Sequence, residues 1–178
     1  MKCLIRVLLA AGVLGIAACA SVPMAPSDSD RAAKMFAPPP RDRAHVYIYR
    51  NESIGAAIKM DLSLDGIPAG TTVAHTFTLL PVRPGRHSLV SEAENNSELP
   101  LFARPGEIIF VWQEVKMGLL YARCKLQLVS PAGGQQGVLD SDLIDYPPPD
   151  LPPLPPRPAA LPPAPPLPVG APTPAPAS

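Results

Sequence analysis

The sequence has few cysteines, few aromatic residues and no excess of basic residues. It contains three cysteines, one tryptophan and 5% aromatic residues among 178 residues, and 15 basic residues balance 15 acidic ones. A chain without net positive charge lacks the electrostatic footprint that attracts nucleic acid. We therefore expect no nucleic-acid partner.

Proline, by contrast, is abundant and unevenly placed. Most of the 27 prolines lie in residues 147–178. Each proline fixes φ and removes a backbone donor, so we predict a disordered polyproline II tail over residues 146–178, outside any packed domain. At about 3.1 Å per residue it extends roughly 100 Å. Two interpretations stay open: a solvated end without a partner, or a spacer or ligand that crosses the cell-wall layer or docks in an aromatic groove.

The N-terminus has the pattern of an export signal. Lys2 and Arg6 come before the apolar run 7–18, which is too short for a helix that spans a bilayer. The run ends in Ile16-Ala17-Ala18-Cys19, which resembles the lipobox of bacterial lipoproteins. The resemblance implies that residues 1–18 are a lipoprotein signal peptide and that Cys19 is acylated. An ordinary signal peptide, cut after Ala18 or Ala20, is the alternative.

Lipidation at Cys19 would hold the protein in the bacterial cell envelope. Several acyl chains anchor a protein stably, whereas one chain binds only marginally. We therefore expect the lipid to bind a membrane and the domain to face the periplasm. The residue after Cys19 is Ala20 and not an aspartate, which in the enterobacterial sorting rule favours the outer membrane over the inner one. Cleavage leaves Cys124 as the one thiol, which excludes an intramolecular disulfide.

Between the two ends the sequence predicts one all-β domain. Residues 19–42 are proline-bearing and aperiodic, and they predict a disordered lipidated tether with a helical turn near residues 30–36. Residues 43–145 alternate with period two between turn signals such as Asp65-Gly66. We predict a single antiparallel β-sandwich of seven or eight short strands, with Phe77 and Leu79 facing inward and residues 135–145 closing it as a short helix or arm.

A set of short motifs resembles one bacterial lipoprotein family. They are Tyr49-Arg50, Leu64-Asp65-Gly66, the Pro-Gly turn before His87, and the segment Gln-Glu-Val-Lys-Met-Gly at residues 113–118. Together with the lipobox they resemble the family catalogued as domain of unknown function 2846, over about residues 38–130. The resemblance implies a small β-sandwich lipoprotein and implies no activity.

The chemistry-bearing residues do not form a recognisable active site. The three histidines lack metal-binding spacing, although the strands that carry His45 and His87 would allow a two-histidine site if they were neighbours. No Gly-x-Ser-x-Gly elbow occurs, and Cys124 alternates with apolar residues, which predicts a buried and inert thiol. We therefore predict no catalytic residue, no metal site and no cofactor.

Two places are candidates for contact with a partner. Trp112 faces outward if Ile109, Val111 and Val115 fill the interior, and it would then anchor a partner. The second place is the apolar run in a predicted hairpin loop, which either folds over the core or is an exposed contact patch. Its candidate contact residues are Met117, Leu119, Leu120 and Tyr121.

The expected function is non-enzymatic. We expect an interaction or scaffold module that contacts a cell-wall component or an envelope protein, with the lipid and the proline-rich arm raising its effective concentration there. A domain that binds a small ligand or a glycan is the alternative from another class, and a hydrolase is the third.

Overall fold

The computed structural model describes residues 21–117 and 122–147, which form two β-sheets and two helices. The helices are α1, Ser27–Ala33, and α2, Pro131–Leu139. The strands are β1 Ala44–Arg50, β2 Met60–Leu64, β3 Ile67–Thr72, β4 Thr76–Val82, β5 Gly85–Glu92, β6 Asn96–Ala103, β7 Ile108–Met117, β8 Ala122–Leu128 and β9 Asp142–Leu143.

The two sheets are stacked as a sandwich, which confirms the predicted all-β class. One sheet has the order β8-β7-β1-β4-β9 and the other has the order β3-β2-β5-β6. Most neighbouring strands are antiparallel, but β1 pairs with β7, and β4 with β9, in the parallel sense. Parallel neighbours need a long connection. Between β1 and β7 the chain forms all four strands of the second sheet.

The inner core lies between the two sheets. On the strands that contribute more than one residue to it, these residues alternate, as period-two patterning requires. On β1 these are the even-numbered positions, and on β7 the odd-numbered ones. Its buried members are Ala44, Val46, Ile48, Leu62, Leu64, Ala69, Leu80, Val82, Leu89, Leu101, Ala103, Ile109, Val111 and Leu126.

An outer core lies on the other face of the five-stranded sheet, beneath the helices. Its buried members are Ala33, Tyr47, Tyr49, Phe77, Phe110 and Val138. The Tyr47 ring stacks on Phe110 with centroids 5.2 Å apart and on Phe77 at 6.2 Å. This layer corrects the prediction that Phe77 and Leu79 face the sandwich interior, because Leu80 and Val82 take those positions. Both faces of this sheet are covered by apolar side chains. Alternation along its strands therefore does not show which face is turned toward the other sheet.

The folded unit also extends beyond the predicted boundary at residue 43. The predicted helical turn is the helix α1, and Ala33 at its end accepts a hydrogen bond of 2.8 Å from the Tyr47 hydroxyl. Phe36 follows in the left-handed region with φ of 50°, and its ring lies 5.5 Å from that of Tyr47. Much of the segment predicted as a tether therefore packs on the domain, because its apolar side chains cover the outer core.

Local turn chemistry agrees with the sequence at the β2–β3 hairpin. Asp65 and Gly66 have φ of 53° and 79°, as a type I′ turn requires. Leu64 pairs with Ile67 across the two-residue loop. β3, which carries Pro68, is an edge strand, where proline is tolerated because the missing N–H has no partner to bond.

Candidate functional site

Trp112 lies on the outer face of the five-stranded sheet, as the sequence predicts for the case in which its neighbours fill the interior. Ile109 and Val111 are in the inner core, and Val115 packs with Met60 and Cys124. Trp112 itself is half-buried against the outer core. Its indole Nε1 is buried without a hydrogen-bond acceptor among the residues that the structure describes. The ring thus contributes to packing as well as to the surface.

Next to Trp112, the β7–β8 hairpin carries a basic surface. The register pairs Glu114 with Lys125 and Lys116 with Arg123, so these side chains share one face of the sheet. We call Lys116, Arg123 and Lys125 the cationic strip. Glu114 is the acidic neighbour, and its carboxylate lies 3.3 Å from Lys116 Nζ and accepts a 2.7 Å hydrogen bond from Gln127.

The cationic strip has three basic side chains and, among the described residues, only Glu114 as an acidic neighbour, so it keeps a net positive charge. Arg123 and Lys125 are exposed, and neither lies within ion-pair distance of a carboxylate in the described part of the chain. Long cations on an exposed strand protect a sheet edge from pairing with other chains. The same arrangement attracts an acidic partner, because unpaired surface cations steer encounter with opposite charge.

A second candidate is a groove on the outer face of the four-stranded sheet. It encloses about 470 Å³ and is lined by backbone and side chains of β2 and β3, by Glu92 at the end of β5, and by Tyr146. Asp61 and Ser63 belong to the groove, and Asp61 accepts a 2.6 Å hydrogen bond from the Thr71 hydroxyl. Carboxylates, hydroxyls and one aromatic ring on an open surface suit a polar ligand such as a sugar.

The sequence did not reveal this groove. Asp61 and Ser63 alternate with Met60 and Leu62, which predicts a solvated face and nothing more. Tyr146 follows the last strand of the domain in the sequence, and no local pattern predicts that it lies beside β3. A groove made by residues so distant in sequence has no signature in periodicity or spacing.

A buried polar cluster connects the two sheets at one end of the sandwich. Gln113 on β7 is fully buried, accepts a 2.5 Å hydrogen bond from the Thr72 hydroxyl and donates one of 2.7 Å to Ser91 Oγ. Cys124 is 3% exposed, as predicted, and its thiol donates to the carbonyls of Ser91 and Asn95. These groups satisfy one another, so the cluster fixes the sheets rather than offering a reactive site.

At the same end, Arg50 organises the loop between β1 and β2. Its guanidinium is fully buried and donates to the carbonyls of Ile58 at 2.7 Å, Ile54 at 3.1 Å and Gly55 at 2.5 Å. Burial lowers the pKa of Arg50, whereas nearby Glu52 opposes this shift. Burial also raises the pKa of Glu52. Because the arginine donors are directed at the chain's own carbonyls, we assign Arg50 a structural role.

The histidines do not form the two-histidine site that neighbouring strands would allow. His45 is on β1 and His87 is on β5, which belong to different sheets. His87 Nδ1 lies 2.7 Å from Asp65 Oδ2, and its Nε2 lies 2.7 Å from the Arg83 carbonyl oxygen. Within residues 21–117 and 122–147, no three His, Cys, Asp or Glu side chains are grouped to hold a metal.

Most of the other predicted contact residues lie outside the described part. Cys19, Leu119, Leu120 and Tyr121 are not among the described residues. The backbone of Met117 ends β7, where it pairs with Ala122 at the start of β8. In the described ranges, no helix has the length and apolar character needed to cross a membrane.

Comparison with known proteins finds a relative of this chain. An uncharacterized protein of Haemophilus influenzae is 32% identical to this chain over 133 residues, which cover 72% of this chain and 79% of that protein. The chain belongs to the same family as this protein. No model of a known protein family matches the chain, and no solved structure matches it.

Proposed function

We propose that the protein is a lipid-anchored lipoprotein of the bacterial cell envelope, of the kind that the domain of unknown function 2846 describes. Its sandwich would face the periplasm as a non-enzymatic interaction module. Support for the anchor comes from the basic start, the short apolar run and the Ala-Ala-Cys19 sequence. Support for the module comes from the cationic strip beside half-buried Trp112.

The cationic strip carries the proposal because it defines the chemistry of the partner. Three basic side chains project from neighbouring positions of one hairpin, and two of them have no carboxylate partner in the described part of the chain. An acidic protein or cell-wall surface fits this strip by charge, and Trp112 adds apolar area next to it. Met117, Leu119, Leu120 and Tyr121 connect the two strands of the same hairpin and would extend the contact.

The anchor is tested by changing the acylated residue. Cys19→Ser should move the protein from the membrane fraction to the soluble fraction after the signal peptide is cleaved. Cys124→Ser is the matched control, since it removes a different thiol and should leave the protein in the membrane fraction. Membrane retention of the Cys19→Ser protein would contradict lipid anchoring.

The interaction surface is tested by crosslinking in cells followed by mass spectrometry. The double variant Arg123→Glu/Lys125→Glu should lose the captured partner, whereas Arg86→Glu, an exposed charge reversal on β5, should keep it. A chain that ends at Pro147 tells whether the proline-rich arm is needed. Capture that survives reversal of the strip but requires the arm would assign recognition to the arm instead.

A domain that binds a small ligand or a glycan is the second candidate, and the groove favours it. Asp61, Ser63, Glu92 and Tyr146 place hydrogen-bonding groups and an aromatic ring around one open volume. Titration calorimetry with cell-wall glycan fragments tests it directly. Binding that Tyr146→Ala weakens at least tenfold, while Arg123→Glu/Lys125→Glu does not, would favour this candidate over the interaction module.

A further inference from the structure

The first and last segments of the folded unit lie side by side. Met24 and Ile144 pair as an antiparallel bridge, with the Ala25 N–H donating to the Leu143 carbonyl at 2.9 Å. The Asp145 N–H donates to the Pro23 carbonyl at 2.8 Å. We call residues 23–25 and 143–145, together with these bonds, the terminal clasp.

Side chains of α1 reinforce the terminal clasp. Asp30 Oδ1 accepts a 2.9 Å hydrogen bond from the Leu143 N–H, while its other carboxylate oxygen lies 2.8 Å from Lys34 Nζ. Lys34 is also 3.6 Å from the Asp142 carboxylate. The carboxylate and ammonium of this group are largely covered, which strengthens their interaction relative to a fully solvated pair. The clasp is thus part of the folded domain.

The clasp continues across the edge of the other sheet. Ile144 is 4% exposed and packs over Gly70 of β3, where an added Cβ would approach Ile144 Cδ1 to 2.9 Å. Tyr146 passes the same glycine. Gly70 has φ of 120°, a conformation that a residue with a side chain rarely adopts. This glycine therefore makes room for the chain to leave the domain beside β3.

Antiparallel pairing fixes the direction in which the two ends leave. Pro23 lies opposite Asp145, so the chain toward residue 19 and the chain toward residue 178 depart from the same point and on the same side. Residue 19 is four peptide units from Pro23, which limits its Cα to about 14 Å from that of Pro23. The predicted tether of residues 19–42 would have allowed about 75–80 Å.

We propose that the lipid anchor and the proline-rich arm leave the domain together, so that the arm begins at the bilayer surface and the domain stands beside it. This rests on the proposed acylation of Cys19. Adding one strand spacing and two peptide units, Pro147 is within about 26 Å of the Cys19 Cα. The edge formed by β3 and β9 faces the membrane, and the β6–β8 side faces away from it.

The arrangement has a functional consequence for the arm and the strip. The arm would start beside the membrane, on the same side of the domain as the anchor, rather than at the far side of the domain. The cationic strip is on β7 and β8, at the side of the five-stranded sheet remote from β9. A partner held by the strip would therefore contact the domain on the side remote from the membrane.

Energy transfer to labelled lipid measures the arrangement in the full, acylated chain. Single cysteines at Pro147→Cys and Lys125→Cys, each with Cys124→Ala to remove the native thiol, carry the donor. The acceptor is a headgroup-labelled lipid in phosphatidylethanolamine–phosphatidylglycerol vesicles. We expect transfer to be at least twofold more efficient from position 147 than from position 125. Equal or weaker transfer from position 147 would overturn the inference.

The same experiment separates failure of the inference from failure of the proposed anchor. Vesicle flotation reports the anchor, and Cys19→Ser should abolish both flotation and transfer at the two positions. If the acylatable chain does not float, the anchor is wrong and the inference falls with it. If the chain floats and transfer is equal at both positions, the anchor stands and the inference alone is wrong.

A disulfide tests the terminal clasp without a membrane. Met24 and Ile144 are a directly opposed, non-hydrogen-bonded pair, whose Cα atoms in antiparallel strands lie about 4.5 Å apart and within disulfide reach. The full chain carrying Met24→Cys/Ile144→Cys and Cys124→Ala should oxidise to one intramolecular disulfide. The pair Met24→Cys/Lys125→Cys is the control and should not. Absence of the Met24–Ile144 disulfide in folded protein would overturn the clasp.

Discussion

Gly137 of α2 lies directly against the aromatic ring of Tyr49 on β1. A Cβ at position 137 would overlap the ring, and a Cβ at Gly134, one turn earlier, would overlap Phe110 in the same way. Helix α2 approaches the sheet closely because these two positions have no side chain. Through this close approach, helix α2 covers part of the outer core.

Gly137→Ala should destabilise the domain, although alanine is the better helix former. Insertion of a methyl group into a packed contact with Tyr49 typically costs about 1–3 kcal/mol. Urea unfolding of the full chain measures the loss. Gly133→Ala in the same helix is the matched control, because its Cβ would have only Ser130 Oγ nearby at 3.4 Å. Helix propensity should make the control neutral or stabilised by up to about 1 kcal/mol.

Thr72 and Gln113 should be energetically coupled. Thr72→Val or Gln113→Leu alone leaves a buried polar group without its partner, at a cost of about 1–3 kcal/mol each. The double variant removes both partners, so its cost should fall short of the sum by about 1 kcal/mol. A double-mutant cycle from unfolding free energies measures this, and strictly additive effects would contradict the coupling. Thr71→Val, at the surface, should change stability by less than about 0.5 kcal/mol.

Tyr47→Phe should loosen α1 without disturbing the sandwich. The variant keeps the stacked ring and removes the hydrogen bond from the hydroxyl to Ala33, which is worth about 1 kcal/mol. Hydrogen exchange should accelerate in residues 27–36 and remain unchanged in β1 and β7. Uniform acceleration across the domain would show instead that α1 unfolds only with the whole.

The Tyr47 phenol also predicts a loss of stability at alkaline pH. Burial raises the pKa of Tyr47 from 10.0 to about 12. The folded state thus holds the proton more tightly than the unfolded chain, and this contribution is complete below pH 10.0 and lost as the pH rises toward 12. Tyr47→Phe should remove that part of the decline. Melting temperatures of both proteins between pH 9 and 11.5 provide the comparison.

Glu52→Gln should become relatively more stable as the pH rises from 4 to 7. Burial is the main reason that the pKa of Glu52 is raised, and hydrogen bonding to Val115 and the charge of Arg50 oppose the shift. A raised carboxyl pKa contributes stability below the unfolded value of 4.5 that is lost as pH rises through the folded value. The amide has no such dependence. Melting curves at both pH values test the sign, with Glu94→Gln controlling for the removed charge.

Local patterns in the sequence were sufficient for the eight longer strands and the hairpin turn, but not for the two-residue strand β9. Alternation in residues 60–64 identified β2, and Asp65-Gly66 identified a type I′ turn whose positive φ values the structure has. β7 has apolar residues on both faces, a pattern typical of a central strand, and it lies between β8 and β1. These features depend on neighbouring residues along one segment, which periodicity and turn chemistry report directly.

The candidate contact residues were predictable only in part. The outward direction of Trp112 followed from the alternation of β7. The cationic strip did not follow, because it needs the β7–β8 register that puts Lys116 opposite Arg123. The groove beside Tyr146 needs β2, β3 and the C-terminal segment together. Register and assembly of this kind depend on tertiary packing.

Composition and order along the chain determined that one small β-domain lies between an apolar N-terminal run and a proline-rich end. Tertiary structure alone decided which face of each strand the helices cover, and where the two ends of the domain leave it. β1 has apolar side chains on both faces, so its period does not tell the inner core from the outer one. The Asp145 N–H donates one backbone hydrogen bond to the Pro23 carbonyl, and this bond does not depend on either side chain. A contact that uses only the backbone leaves no trace in the sequence.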